Sequence, residues 1–565
     1  MIKNDRIKKW YLDQGDKTCN TIVRILDVEY AHIRLIDNSD LYVTSYGLPF
    51  LKHLYPDQYF TDKEWFRANA IRLSGTSCVY KVTSKEVDGK SKDLVIKWNR
   101  MGQDIPGATA GEDLDNARFN SPFEEFSLVK ELRLTMYELS VIPHIVQKPL
   151  AIYVPAEKSE LDRMGRREYE MKKIVAEHTE IAIDMNRSYA VIYEWIKGFD
   201  AAEACKKGII DESVMQTLTI KANDNMREMG YFVRDNKPQH IIVRKNNDTS
   251  NRLLKRDDRY LNAIVDFELL ERTKEQAEMI TKSKRKEYHR RQTERFTYDS
   301  THDFHPHLHH VNLFGVDYIY GQVESTKGRL WVVGSDPYLF DFFLPERWEK
   351  EERTKISMFS ESYATQTKDN INIIWEVSKV GLQPDCDPFK EDEKRLLQHG
   401  YNSPFEEVAL AIELSAKNIP TIYPRAVYMA GFKTEIDKSF FDQSRYDEHG
   451  KIRTPDKMPL LMKDHEYIII WGNWNGPDEL LAHDDKPCYA GVNALRAYRN
   501  GYITQEQYMK VLFHIKDRLR SVGVEDINLK GAHLLLSLNE DDKIVMADNG
   551  LPEVRICNFE FLEKL

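Results

Sequence analysis

The hexapeptide Asn120-Ser-Pro-Phe-Glu-Glu125 returns letter for letter as Asn402-Ser-Pro-Phe-Glu-Glu407, a shift of 282 (407 minus 125). Other matches keep the same order. Leu41-Tyr-Val43 with Pro56 recurs as Leu330-Trp-Val332 with Pro345, Lys237 as Lys530, Phe267 as Phe559, and Tyr189-Ala-Val-Ile-Tyr193 resembles Tyr467-Ile-Ile-Ile-Trp471. Chance supplies one such match, not five in register, so the chain is read as a duplicated unit. A chain of 565 residues is also too long for one core at roughly 100 to 200 residues per domain.

The expected layout is a front module over 1–70, a body over 71–275, a charged, His-rich linker over 276–310, a second front module over 311–352 and a second body over 353–565. β-Branched alternation predicts strands at Ile71 to Val82 and Leu94 to Trp98, whereas Ser121 to Leu139 has a helical apolar period, with Ser121-Pro122 as its start. The predicted class is α+β. Glu271 to Arg295 reads as a solvated linking helix, with a basic docking surface as the competing reading. His302-Asp-Phe-His-Pro-His-Leu-His-His310 lacks a cysteine and regular ligand spacing, which disfavours a metal site.

Composition excludes little else. With 41% hydrophobic and 30% charged residues, no segment reaches the apolar length of about 20 residues that spans a bilayer. The start Met1-Ile-Lys-Asn-Asp-Arg6 does not resemble a secretion signal. Six scattered cysteines without a C-x-x-C pair favour a reducing compartment, so a cytoplasmic location is expected. A net charge of -10 gives no general nucleic-acid footprint.

Four segments of the first copy carry the chemistry. Leu94-Val-Ile-Lys97 ends an apolar strand on a cation; Val191-Ile-Tyr-Glu-Trp-Ile-Lys-Gly198 is a strand running into a turn; Arg234-Asp-Asn-Lys-Pro238 leads to His240; Ile264-Val-Asp-Phe-Glu268 ends a strand on a carboxylate. A phosphate-facing cation, a metal-facing carboxylate and a carboxylate beside an attacking hydroxyl are the parts that phosphoryl transfer needs. In this order the segments resemble protein kinases, and the absence of an A-P-E motif after Asp266 resembles the minimal, atypical RIO and Kdo kinases.

That resemblance implies two tandem bilobal kinase-like folds with truncated C-lobes, each behind a small α/β front module. It implies that Lys97 reaches the nucleotide phosphates and that Glu125 is its helix-borne ion-pair partner, with Glu124 and Glu131 as competitors. The loop Leu73 to Val79, through Gly75, Ser77 and Val79, would cover the phosphates, and the backbone of Glu194, Trp195 and Ile196 would meet adenine. Asp235 would be the general base and Lys237 would offset charge on the transferred group. Asp266 would face Mg2+ (or Mn2+), joined by His240 and Glu268, which replace the family's asparagine and glycine; the phosphate loop also keeps one glycine of three.

In the second copy Lys97 aligns with Trp375, Asp235 with Asn528 and Asp266 with Asn558, which predicts a catalytically dead repeat. The function expected is ATP/Mg-dependent transfer to a hydroxyl of a protein or small molecule by the first repeat. The second would serve as scaffold or regulator through a contact between the repeats. The alternative is a nucleotide-binding pseudoenzyme that serves as a protein-interaction scaffold.

Overall fold

The computed structural model describes residues 5–14, 20–73, 78–105, 118–139, 144–178, 181, 183–245, 253–256, 259–299, 305, 307–357, 360–384, 386–387, 389–433, 444–462, 464–473, 490–539 and 541–565. Gly75 and Ser77 lie outside these residues. The chain divides into two compact α+β units, Met1–Ile280 and Thr281–Leu565. No helix among the described residues is long and apolar enough to cross a membrane.

In the first unit β1 (Asn20–Ile25), β2 (Val28–Arg34), β3 (Asp40–Val43), β4 (Ala70–Arg72), β5 (Val79–Thr83) and β6 (Asp93–Trp98) precede the short β7 (His144–Val146), then β8 (Pro149–Val154) and β9 (Ala190–Glu194). All but β7 form one antiparallel sheet in the order β1-β2-β3-β8-β9-β6-β5-β4. Leu41 of β3 pairs with Tyr153 of β8, so the front residues and the body share that sheet. Side chains alternate between its faces. Val95, Val191 and Tyr193 join Phe123, Phe126 and Val129 of the helix Pro122–Leu139 on one side, while Ile96 and Ile192 join Leu41, Leu54 and Tyr59 on the other. Lys97, two residues beyond Val95, therefore faces the helix side.

Below the sheet come β10 (Phe199–Asp200), the helices Ala201–Lys206 and Glu212–Glu228, β11 (Tyr231–Val233), β12 (Ile241–Val243), the hairpin β13 (Lys255–Arg256) and β14 (Arg259–Tyr260), β15 (Asn262–Ile264) and β16 (Leu270–Arg272). That hairpin lies between the two motif loops. Val233 pairs with Leu270 and Ile241 with Ile264, which forces the loops 234–240 and 265–269 side by side. Two backbone bonds stitch them, Val265 N–H to His240 O at 3.0 Å and Arg234 N–H to Leu269 O at 3.2 Å.

The second unit repeats the wiring. Its strands β17 (Leu308–Leu313), β18 (Val316–Val323), β19 (Gly328–Val333), β20 (Arg353–Lys355), β21 (Ser362–Gln366), β22 (Asn372–Val377), β23 (Pro424–Lys433) and β24 (His465–Gly472) order as β17-β18-β19-β23-β24-β22-β21-β20. β25 (Ala490–Asn493), β26 (Val524–Asp526), β27 (Leu534–Leu538), β28 (Val554–Ile556) and β29 (Leu562–Lys564) follow, with helices Ala494–Arg499 and Gln505–Ser521 matching the 6- and 17-residue pair of the first unit. The helix Lys274–Glu294 is not solvated throughout, as a plain linker would be. Tyr288 is buried with Phe342 and Phe343 around it, and Arg291 bonds Asp336 at 3.3 Å, so its C-terminal turns belong to the second core.

The repeated hexapeptide has a structural reason. Asn120 donates from its backbone to Glu268 O at 2.9 Å and from its side chain to Leu270 O at 2.9 Å and Phe267 O at 3.4 Å. Asn402 does the same to Glu560 O (2.9 Å), Leu562 O (2.9 Å) and Phe559 O (2.8 Å). Ser121 with Glu124, and Ser403 with Glu406, then close reciprocal caps at the helix start. The motif thus pins the main helix to the segment after Asp266 or Asn558. Replacing either asparagine by alanine removes two side-chain bonds to buried carbonyls and is expected to destabilise its own unit by about 1–3 kcal/mol. Faster amide hydrogen exchange in peptides spanning 265–272 (Asn120→Ala) or 557–564 (Asn402→Ala) is the readout; unchanged exchange there would remove the pinning role.

Strand register corrects one alignment. Lys97 pairs with Val191, and Val191 matches Ile469 in the Tyr189–Tyr193 and Tyr467–Trp471 segments; the cross-strand partner of Ile469 is Glu376, not Trp375. Trp375 lies in the outer apolar layer with Trp348 and Ile373, as Ile96 does in the first unit. A one-residue slip exchanges the faces of a strand. The second unit has therefore replaced the buried lysine by a glutamate.

Candidate active site

Strand β6 brings Lys97 to the loop after β15, 169 residues further on, where its ammonium is ion-paired with Asp266 and lies 2.9 Å from Glu268 Oε2. Glu268 is also held by Arg100, through Oε1 and through an Nε bond to Oε2 at 3.3 Å. Burial alone would lower the Lys97 pKa, but Asp266, Glu268 and Glu125 outweigh it and keep the ammonium above its ordinary value. Burial would likewise raise Asp266, and Lys97 and His240 overcome that, holding the carboxylate well below its usual range.

Asp266 has φ +70°, the left-handed region that aspartate tolerates better than most side chains, at a cost of about 1–3 kcal/mol. A quarter of its side chain is exposed, against 6% for Lys97 and Glu268. Its ionised oxygens thus end the strand partly open to solvent.

The helix carboxylates separate cleanly. Glu124 takes Arg118 and His178, each at 2.9 Å, and Glu131 takes Arg272 at 2.6 Å, so of the three candidates Glu125 is the one turned to Lys97. Yet Glu125 Oε1 accepts a 2.8 Å bond from the Tyr193 hydroxyl, Oε2 has no hydrogen-bond partner, and no ion pair with Lys97 forms among the described residues. Burial, opposed by Lys97 and Tyr193, pushes its carboxyl up to about 7.

Asp235 projects from the adjoining loop, about half exposed, with the Lys237 ammonium at 2.9 Å. Between the loops His240 is buried, with Nε2 3.4 Å from Asp266 Oδ2 and Nδ1 without a partner. Burial chiefly lowers its pKa, Asp266 and Asp235 oppose that, and Lys237 and Lys97 add to it.

In the strand end expected to meet adenine, Glu194 is paired with Lys92 (2.9 Å) and Lys148 (3.2 Å), its carbonyl accepts from Gln147 Nε2 (2.8 Å), and the Trp195 N–H donates to Asp93 O (3.3 Å). Of the expected adenine-binding backbone, Ile196 is the residue not engaged in these bonds. Val79 lies directly across from Lys97 on β5. Among the described residues no group of three His, Cys, Asp or Glu side chains is gathered to hold a metal ion. Sequence reasoning missed Arg100 and Tyr193; Arg100, three residues beyond Lys97 and mirrored by Lys379 three beyond Glu376, left a signal in the repeat.

The corresponding place in the second unit has the opposite charge. Glu376 accepts from Trp471 Nε1 at 2.7 Å and Ser362 Oγ at 3.3 Å, Glu560 takes Lys379 at 2.9 Å, and Glu407 stands where Glu125 does. Burial, then Glu560, pushes Glu376 up to about 7; burial, then Glu376 and Glu560, raises Glu407 well above its ordinary value.

No protein-family profile and no curated protein matches the chain. The solved structures that overlap it in part include the following two. One is the co-crystal structure of WbdD and kinase inhibitor LY294002, at 10% identity, covering 38% of each chain with TM-score 0.16. The other is the complex structure of Rv3197 and erythromycin from Mycobacterium tuberculosis, at 13% identity, covering 42% of this chain and 57% of that one with TM-score 0.17. The chain spans less than two thirds of either, and likenesses of that size carry no argument about this protein.

Proposed function

We propose that the first unit is an ATP- and Mg2+-dependent phosphotransferase acting on a hydroxyl of a protein or small molecule. The observation that carries this reading is the meeting of Lys97 with Asp266, side by side with the Asp235–Lys237 loop. Lys97 would lie along the nucleotide phosphates, Asp235 would accept the proton of the incoming hydroxyl, and Lys237 would offset the charge of the transferred group.

Mg2+ is commonly held by one or two carboxylates plus substrate phosphates instead of an all-protein cage. The lack of a three-residue cluster among the described residues is compatible with that, and the ionised, part-exposed Asp266 fits the role. Glu268, committed to Lys97 and Arg100, fits it poorly. The ion would neutralise phosphate charge; orienting and desolvating the reactants falls to the chain's own residues.

The second reading, a nucleotide-binding scaffold without turnover, is favoured by the engagement of Lys97 with two carboxylates and by the occupied backbone carbonyl of Glu194. Incubation of the full chain with labelled ATP, Mg2+ and hydroxyl acceptors separates the two. Transfer or hydrolysis above background supports the first; nucleotide binding without either supports the second.

A further inference from the structure

We propose that Glu268, not the helix carboxylate Glu125, is the positioning partner that holds Lys97. The catalytic consequence rests on the phosphotransferase reading; the pairing itself does not.

The geometry is one-sided. Glu268 Oε2 is 2.9 Å from the Lys97 ammonium, while Glu125 spends one oxygen on Tyr193 and forms no ion pair with the lysine among the described residues. Glu268 is also fixed before it meets Lys97. Asn120 N–H binds its carbonyl at 2.9 Å, Arg100 binds its carboxylate, and its side chain is 6% exposed. A carboxylate already immobilised by other bonds loses little further freedom on taking an ammonium.

The duplication separates frame from function. In the second unit Asn402 binds Glu560 O at 2.9 Å and Lys379 binds the Glu560 carboxylate at 2.9 Å, so the clamp on this glutamate exists in both units. Only the first adds a lysine to it, because the position of Lys97 is occupied by Glu376 in the second. The Arg100 and Lys379 bonds are thus the shared frame, and the Lys97–Glu268 bond is the addition. It also divides the two partners of Lys97: Asp266, a quarter exposed, can be exchanged for a phosphate oxygen while the enclosed Glu268 keeps the ammonium in place.

A double-mutant cycle on urea unfolding of the full chain tests the pairing without any activity. Lys97→Met is combined with Glu268→Gln and, separately, with Glu125→Gln; Lys97→Gln replaces Lys97→Met where that variant does not fold. A larger coupling energy for Lys97 with Glu268 than for Lys97 with Glu125 is expected; the reverse order overturns the proposal. In phosphoryl transfer, Glu268→Gln should lower kcat/KM by about 10- to 100-fold, as misplacement of a reacting group does. Glu268→Asp should recover part of that, and Glu125→Gln should lower kcat/KM by less than Glu268→Gln does. A larger loss with Glu125→Gln than with Glu268→Gln also overturns it. Absence of transfer by the unsubstituted chain would remove the phosphotransferase reading and leave the unfolding cycle to decide the partner.

Discussion

Asp235→Asn is expected to lower phosphoryl transfer by about 10²- to 10⁴-fold, the range for loss of a general base. The substitution keeps the shape and removes the charge. The side chain is about half exposed and its contact is an exposed pair with Lys237, so folding stability should change by no more than about 0.5 kcal/mol. Nucleotide affinity should also hold, since the phosphates are assigned to Lys97 and Asp266. Steady-state transfer, nucleotide titration and urea unfolding of the same preparation check the three parts. A variant that transfers phosphate at the unsubstituted rate would remove Asp235 from the chemistry; a variant that loses nucleotide binding as well would place it in the binding site instead.

Much of this site was legible because the relevant signals are local. Arg234-Asp-Asn-Lys-Pro238 and Ile264-Val-Asp-Phe-Glu268 each lie in one short loop, and the strands that flank them pair with one another, so adjacency followed from order along the chain. What sequence misjudged depends on side-chain direction. Asn372-Ile-Ile-Trp375 looks like Leu94-Val-Ile-Lys97 as a run of apolar residues, but alternation in β22 sends Trp375 to the outer layer and Glu376 to the opposite face, beside Trp471. Parity around Lys379 and Arg100 held the correct answer. The partner of Lys97 was hidden for another reason: helical spacing admits Glu125, yet the Tyr193 hydroxyl, brought in by β9, takes one of its oxygens. The hexapeptide, in turn, marked the duplication and pointed to Glu125, while its asparagine proved to be the pin between helix and loop.

The charge reversal at Glu376 predicts a pH dependence opposite to that of an ordinary salt-bridged carboxylate. Its ordinary value of 4.5 is raised to about 7 in the folded unit, by burial first and by Glu560 next, with bonds from Trp471 and Ser362 and the Lys379 ammonium opposing. Between those two values the folded chain binds more protons than the unfolded one, so stability falls as pH rises from about 4.5 to 7 and then levels. The full penalty would be roughly 3 kcal/mol; because part of the side chain remains open to solvent, about 2 kcal/mol is expected. Glu376→Gln keeps an oxygen for the Trp471 N–H, turns an amide N–H to the Ser362 hydroxyl, which can accept it, and removes the charge. It should therefore match the unsubstituted chain near pH 4.5 and exceed it by about 2 kcal/mol at pH 8, a rise of roughly 4–8 °C in the unfolding midpoint of the second unit. Glu407, raised by burial and by the same two carboxylates, adds to the effect, and the Cys557 thiol, pushed up to about 12, stays neutral throughout. Hydrogen exchange of peptides from residues 362–377 and 465–472, followed from pH 4.5 to 8 at matched intrinsic rates, reads the change in the unit where it arises. A Glu376→Gln variant with no gain at pH 8, or with the same gain at pH 4.5, would mean that this carboxyl is not the buried acid the strand register makes it.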